Sequence, residues 1–381
     1  MNRRSDRLSP RRSVARSSVV ALAGVLALAG CSGGSEPAAP TSSTSTTTSS
    51  SSAPATPASL VAKGAPTGLT PVLKRQYAAA TAPVRGTVTT GTWKGQRVAV
   101  FVAGKDATLA VAPPSPSTDW RIVGGWWPSL KRGADLGGRT HVLLIGSDAR
   151  PGQDPTRTRG DALQLLGVDG KGGGGILGFA RDLYVPVAGH GTTRINAALS
   201  FGGPQLQTST VSALSGIQIE GYVVTGFEGF EKIVDDLGQL PYTSDVVVKG
   251  DASHANVRKG YQRLNGREAL ALARERKTLP GGDFDRSANQ GLILAAGMLE
   301  ARQQGVGTLP QLMTVVSRHA ESDLTAAQML RIGAWAYRLE PAMVGHGVVK
   351  GTPVMRGGAS VVELDSASRT LMTNFRDGRL P

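Results

Sequence analysis

Residues 157–191 read RTRGDALQLLGVDGKGGGGILGFARDLYVPVAGHG, and this stretch limits the fold of the chain more tightly than any other. Two short apolar runs, DALQLLGVD (161–169) and GILGFA (175–180), are joined by Lys171, Gly172, Gly173 and Gly174. A glycine-rich link this short makes an antiparallel hairpin. Its far ends carry Arg159-Gly160-Asp161 and Arg181-Asp182. Antiparallel neighbours lie about 5 Å apart. Two arginines and two aspartates therefore meet at one end of a sheet. HVLLIG (141–146) reads as a short buried strand running into Ser147-Asp148-Ala149-Arg150. If it pairs with either hairpin strand, a third acid and a third arginine join the cluster.

The surrounding pattern is mixed. Helical spacing or composition predicts helices at about 204–214, 226–237, 265–276, 286–304, 308–320, 324–339 and 366–377. GYVVTGF, DVVVKG and SVVEL read as further strands. Helices mixed with an antiparallel-containing sheet predict an α/β sandwich. Residues 60–133 read differently: QRVAVFVAG, ATLAVAP and DWRIVGGWWPSL predict a small β-rich region before the main domain. Trp120, Trp126 and Trp127 are either a sugar-stacking platform or packing between this region and the next.

The N-terminus reads as a targeting segment. Six arginines precede a short apolar run, Val19 to Gly30, which is followed directly by Cys31. That run is too short for a membrane span of about 20 residues. Cys31 is the one cysteine of the chain, so no internal disulfide exists. Residues 32–59 are Ser, Thr, Pro and Ala with almost nothing larger, a composition that reads as a flexible tether. Leu28-Ala29-Gly30-Cys31 resembles a bacterial lipobox, which implies cleavage before Cys31, a lipid on its sulfur and an anchor in the outer leaflet of the cell membrane. The other reading is a signal peptide with a chance cysteine.

Beyond residue 30 the chain has 36 Lys and Arg against 27 Asp and Glu. A basic balance suits an anionic partner. Outside the cell that partner is a lipid headgroup or an acidic polymer rather than nucleic acid.

Arginine offers a rigid fork that matches phosphate oxygens two at a time. Aspartates in the same pocket would repel a phosphate unless a divalent cation lay between them. Mg²⁺ takes one or two carboxylates and completes its shell with substrate phosphates. The cluster therefore reads as a metal–pyrophosphate site or as a salt-bridge network that holds loops. The histidines His141, His190, His254, His319 and His346 show no metal-ligand spacing.

VLLIGSDAR, RGDALQLLGVD, ARDLYVPVAGHGTTRINAALSFGGPQ and GREALALARERKTLPGGDFDRSANQ resemble, in order, the successive blocks of the LytR-CpsA-Psr family over roughly 139–379. The resemblance implies an α/β/α sandwich with a mixed central sheet and a deep apolar cavity. It implies an envelope enzyme moving a glycopolymer from a polyprenyl-pyrophosphate carrier onto peptidoglycan, with Mg²⁺. Residue by residue, Asp148 and Asp161 match the metal-binding acids. Arg159, Arg181, Arg274 and Arg276 match the phosphate-binding arginines. Asp182 follows Arg181 and is a candidate base or orienting group. Asn196, Asp283, Arg286 and Gln290 match the groups that complete the headgroup site. The chain departs from the family with Ala180 for Pro, Asn289 for Arg, and Gly160-Asp161-Ala162 for Ser-Asp-Thr. These changes imply one cation and one hydroxyl fewer near the site. They leave open a lipoprotein that binds polyprenyl phosphates or anionic wall polymer without turnover. A hydrolase that splits the pyrophosphate with water is a third possibility.

Overall fold

The computed structural model describes residues 59–340 and 343–380. The leader, Cys31 and residues 32–58 lie outside the described residues, and the lipobox expectation with them.

The first sheet has six strands in sequence order: β1 (Leu60–Lys63), β2 (Val84–Trp93), β3 (Gln96–Ala103), β4 (Asp106–Ala112), β5 (Arg121–Trp127) and β6 (Arg132–Asp135). Only β1 and β2 run parallel. Helix α1 (Leu69–Gln76) covers one face, where Leu69, Leu73 and Tyr77 pack on Phe101, Trp120 and Trp127. Trp120, Trp126 and Trp127 are all buried. Packing is thus their role, and the sugar-platform alternative falls.

The second sheet is built from β7 (Thr140–Ser147), β8 (Gly160–Val168) and β9 (Gly174–Phe179). A small hairpin, β10 (Tyr184–Val187) with β11 (Gly191–Arg194), follows β9. Next come α2 (Ala197–Ser215), β12 (Gly221–Thr225) and α3 (Phe227–Leu237). Two short hairpins precede the next helix: β13 (Leu240–Ser244) pairs with β16 (Gly260–Leu264), and β14 (Val248–Gly250) with β15 (Ala255–Val257) between them. The chain continues with α4 (Gly266–Arg274), α5 (Asp283–Gln304), α6 (Leu309–His319), β17 (Glu321–Ser322) and α7 (Ala326–Trp335). It closes with β18 (Val344–Val349), β19 (Gly351–Arg356), β20 (Ala359–Leu364) and α8 (Ser366–Asn374).

The central sheet has the order β17-β12-β7-β8-β9-β18. β12 and β18 are parallel to their neighbours β7 and β9, while β7, β8 and β9 are antiparallel. This is the mixed sheet of an α/β/α sandwich. Leu143, Leu165 and Leu177 stand opposite one another and bury with Ala198, Leu199 and Val211 of α2 and Met372 of α8. The other face carries Val142, Leu144, Gln164 and Leu166, which look toward α3 and α5.

The two sheets share a core. Trp93, Val98, Val100 and Leu109 bury with Leu309, Met313, Leu330 and Trp335 of α6 and α7. Trp93 Nε1 donates to the Leu324 carbonyl at 2.8 Å. At Gly91 an added Cβ would sit 2.0 Å from the Pro310 carbonyl oxygen, so β2 and α6 meet backbone to backbone.

Several sequence expectations shift. The helix expected at 204–214 begins at Ala197 and is interrupted at Gly202 and Gly203. Proline disfavours a helical residue before it, and Gly203 takes φ 71° there. The strand expected at DVVVKG shrinks to Val248–Gly250, and Val246 and Val247 are exposed. The helix expected at 265–276 stops at Arg274, with Glu275 extended. β18 was hidden because Gly345, His346 and Gly347 break its apolar pattern. Those glycines lie against Leu380 and Leu371.

Candidate functional site

The hairpin ends meet as expected, and a β-bulge sharpens the result. Gly146 pairs with Ala162 and Ser147 with Gly160, which leaves Asp161 as the extra residue. A bulge re-aims the side chain it carries. Asp161 thereby turns to Arg181 and Asn196. Asn196 Nδ2 donates to Asp161 Oδ1 at 3.0 Å, and Arg181 Nη1 donates to Asp161 Oδ2. Asp148 closes the same corner: its backbone N–H donates to the Arg159 carbonyl at 3.0 Å, and its Oδ1 accepts from the Arg159 N–H at 2.9 Å.

Arg181 sits among three carboxylates. Its Nε lies 3.5 Å from Asp283 Oδ1 and 3.8 Å from Asp182 Oδ2, in addition to its bond to Asp161. Burial alone would lower its pKa, but Asp161, Asp283 and Asp182 more than offset that and raise it. Arg286 is buried and pairs with Asp283 at 2.8 Å. Desolvation outweighs the attraction in both partners of that pair: the Asp283 pKa is raised and that of Arg286 lowered.

Helix α4 delivers the remaining cations. Its start is fixed by a capping box: Asn265 accepts from the Glu268 N–H while Glu268 accepts from the Asn265 N–H. Its last residue, Arg274, stands 4.6 Å over the Phe227 ring. Glu275 then turns inward and is buried. It accepts from Ser253 Oγ and, at 3.0 Å, from the Thr278 N–H. Burial would raise its pKa, but these hydrogen bonds prevail and lower it. A buried acid between two arginines thus leaves Arg274 and Arg276 exposed.

These groups ring the mouth of a cavity of about 760 Å³. Asp148, Asp161, Arg181, Arg274, Arg276 and Arg286 all reach it, as do Arg150 and Lys277. Its depth is apolar, with Leu144 and Leu166 from the sheet, Phe230 and Ile233 from α3, Met298 from α5 and Val316 from α6. Such a space takes a long hydrocarbon with an anionic head.

Four expected site residues stand apart from the cavity wall. The Arg159 side chain is exposed, and what the site uses is its backbone. Asp182 pairs with Arg194 at 3.3 Å as well as with Arg181, and so orients two arginines. Asn196 and Asp283 support the wall from behind, Asn196 through Asp161 and Asp283 through Arg181 and the buried Arg286. Gln290 reaches the cavity, but its Nε2 donates to the Ala273 carbonyl at 3.0 Å, bracing α5 to α4. Asn289 lies off the cavity wall, where Tyr242 Oη approaches its Oδ1 at 3.5 Å. Sequence reasoning missed Glu275, Ser253 and Lys277. An acid flanked by two arginines was the signal for the first.

Two carboxylates at one mouth, Asp148 and Asp161, form a donor set that Mg²⁺ accepts when substrate phosphates supply the other ligands. Among the described residues no group of three or more His, Cys, Asp or Glu is arranged to hold a metal ion, so a cation here would depend on substrate phosphates for most of its ligands.

The match to a described family covers residues 129–375. Among curated proteins, a Bacillus mycoides polyisoprenyl-teichoic acid--peptidoglycan teichoic acid transferase TagU is 30% identical over 191 residues, which are 49% of this chain and 61% of the relative. The chain thus spans about three fifths of that relative's length. Among solved structures, Bacillus subtilis TagV superposes with a TM-score of 0.54 at 25% identity, covering 64% of this chain and 99% of TagV. YwtF (TagT), a LytR-CPS2A-psr family protein solved with bound octaprenyl pyrophosphate lipid, superposes with a TM-score of 0.50 at 22% identity over 64% of this chain and 92% of its own. A cation-ringed mouth over an apolar cavity, on the mixed sheet shared with these structures and within a match spanning most of the described residues, identifies the chain as a member of the LytR_cpsA_psr family.

Proposed function

We propose that the chain moves a glycopolymer from a polyprenyl-pyrophosphate carrier onto peptidoglycan, at the outer face of a cell membrane to which a lipid on Cys31 tethers it. One observation carries this reading: a ring of arginines and paired acids closes one end of an apolar cavity. The name of the B. mycoides relative and the lipid bound to YwtF support it. None of the described helices is long and apolar enough to cross a bilayer; the anchor in this reading is the lipid on Cys31.

The prenyl chain occupies the cavity and leaves the pyrophosphate at the mouth. Arg181, held by three carboxylates, meets the phosphates as a pre-aligned donor. Arg274 and Arg276 approach from the end of α4. An acceptor hydroxyl attacks the phosphorus that bears the polymer sugar. A new P–O bond forms, the P–O–P bridge breaks, polyprenyl phosphate leaves, and the hydroxyl proton passes to the departing phosphate or to solvent. Charge grows on the leaving phosphate and on the transferring oxygens. Arginines already in place stabilise that charge without reorganising. Asp148 and Asp161 are the residues that would hold Mg²⁺, which supplies further charge neutralisation on the phosphates when bound.

The test is transfer of a short polyprenyl-pyrophosphate-linked saccharide to peptidoglycan, with Mg²⁺ present or chelated. Wild type is expected to release polyprenyl phosphate only when the acceptor is present. Asp161→Ala should lose more than 100-fold in turnover while retaining its fold. Release without acceptor would make the protein a hydrolase. Tight carrier binding with no release would make it a carrier-binding lipoprotein.

A further inference from the structure

The six-stranded sheet is the basic part of this protein. Residues 60–135 hold ten Lys and Arg against three Asp, most of the excess cationic charge of the chain beyond its leader. The strand directions sort these charges. β1, β2, β4 and β6 begin, and β3 and β5 end, at one edge of the sheet. That edge carries Arg85, Lys105, Lys131 and Arg132, all exposed. Helix α1 runs toward it: its start lies against Thr118 at the opposite edge, and Tyr77 at its end packs on Phe101 and reaches Thr108 at 3.3 Å. Lys74 and Arg75, in the last turn of α1, are exposed near the same edge.

Six cations therefore share one rim, and among the described residues none of them is in an ion pair. The nearby acid Asp106 is buried and consumed: it accepts from the Ser129 N–H at 3.0 Å and from Ser129 Oγ. That contact fixes the turn bearing Lys131 against the turn bearing Lys105. The rim is rigidly joined to the cavity, because β2 and β3 share a core with Leu309 and Met313, which also line it.

Where the chain enters this sheet decides what the rim faces. Leu60 opens β1 at the cationic edge, paired with Val84 beside Arg85. Only 28 residues separate it from Cys31. A tether of that length, as its composition predicts, would span about 30 Å root-mean-square. We propose that this rim docks on the anionic phospholipid headgroups of the membrane, holding the cavity at a fixed attitude to the bilayer that supplies its carrier. The inference rests on the proposed anchoring at Cys31.

Vesicle binding tests it without turnover. The chain from Ser32 onward, which lacks the lipid and keeps all four cores, is sedimented with phosphatidylglycerol or phosphatidylcholine vesicles at low and high salt. A surface cation near an anionic leaflet contributes roughly fivefold to partitioning. Salt-sensitive binding to phosphatidylglycerol alone is expected. The triple reversal Lys105→Glu, Lys131→Glu, Arg132→Glu should weaken it by at least about 100-fold, since each change removes a cation and adds an anion. A control reversal of equal charge, Arg258→Glu, Lys259→Glu, Arg369→Glu, should weaken it less than fivefold. Carrier turnover in detergent should be unchanged by the rim reversal, so loss of turnover in wild type sinks the proposed function and leaves the docking result standing. Equal losses in the two triple variants, or binding of soluble polyglycerol phosphate by the rim without binding of vesicles, would overturn the docking proposal.

Discussion

At the scale of single residues, geometry rather than charge separates the arginines. Arg181 and Arg286 are held by acids and are already aligned before any ligand arrives. Arg274, stacked over Phe227, and Arg276 are exposed and, among the described residues, held by no acid. Arg276 is therefore the one whose forked shape can be isolated by substitution. Arg276→Lys keeps the charge and loses the planar pair of donors, so a cost of roughly 1–3 kcal/mol in carrier affinity is expected. Arg276→Ala should cost more, and both losses should be smaller for polyprenyl monophosphate than for the pyrophosphate. Titration of both carriers against the three proteins checks this. Equal losses for the two carriers would remove Arg276 from the pyrophosphate site.

At the scale of elements, the site depends on how α4 ends. Asn265 and Glu268 start the helix, and Glu275 stops it by turning into a buried pocket with Ser253. Gly250 lies under that carboxylate: a Cβ built there would be 1.6 Å from Glu275 Oε2. Gly250→Ala should expel Glu275 and carry Arg274 and Arg276 out of register. A tenfold or greater fall in carrier affinity is expected, with a smaller effect in thermal melts. If affinity holds while the protein melts early, Glu275 is only a structural acid. The second element is the bulge at Asp161. It places the carboxylate between Asn196 and Arg181, where a regular ladder would have sent it to the other face of the sheet.

At the scale of the whole molecule, the first sheet and the family domain are one folding problem. A chain beginning at Arg139 would expose Leu309, Met313, Leu330 and Trp335, which bury against Trp93 and Val100. It is expected to aggregate or to melt well below the longer chain, as size-exclusion chromatography and calorimetry will show. A monodisperse fragment with an unchanged melting temperature would contradict this. The pH response is also global. Burial lowers the pKa of His141 and of His346, so the unfolded chain takes up their protons first. Stability should fall as pH drops below the ordinary histidine value near 6.5 and continue to fall through the folded values. Asp283, with its raised pKa, works the other way, gaining stability as pH falls toward the carboxylate range. Denaturant titrations between pH 7 and 5 should show the histidine slope, and His346→Leu should reduce it.

The sequence by itself determined the hairpin, the meeting of Arg159/Asp161 with Arg181/Asp182, the order of blocks and the α/β class. Those follow from local periodicity and a short glycine link, and local rules survive folding. Whether Asp148 would join them hung on the partner of β7, and its pairing with β8 supplied the answer. Only the tertiary structure decided which charges face the cavity. Asp182 and Asn289 stand beside the site in sequence yet point elsewhere, toward Arg194 and Tyr242. Glu275 stood out only as an acid between two arginines; its role was hidden because its partner Ser253 is 22 residues away. β18 was invisible because two glycines and a histidine replaced its apolar pattern, and only the close approach of Leu371 and Leu380 accounts for them. The apolar cavity came from no single segment. It is the space enclosed between β7, β8, α3, α5, α6 and α7, and a gap shared by distant elements has no signature in any one of them.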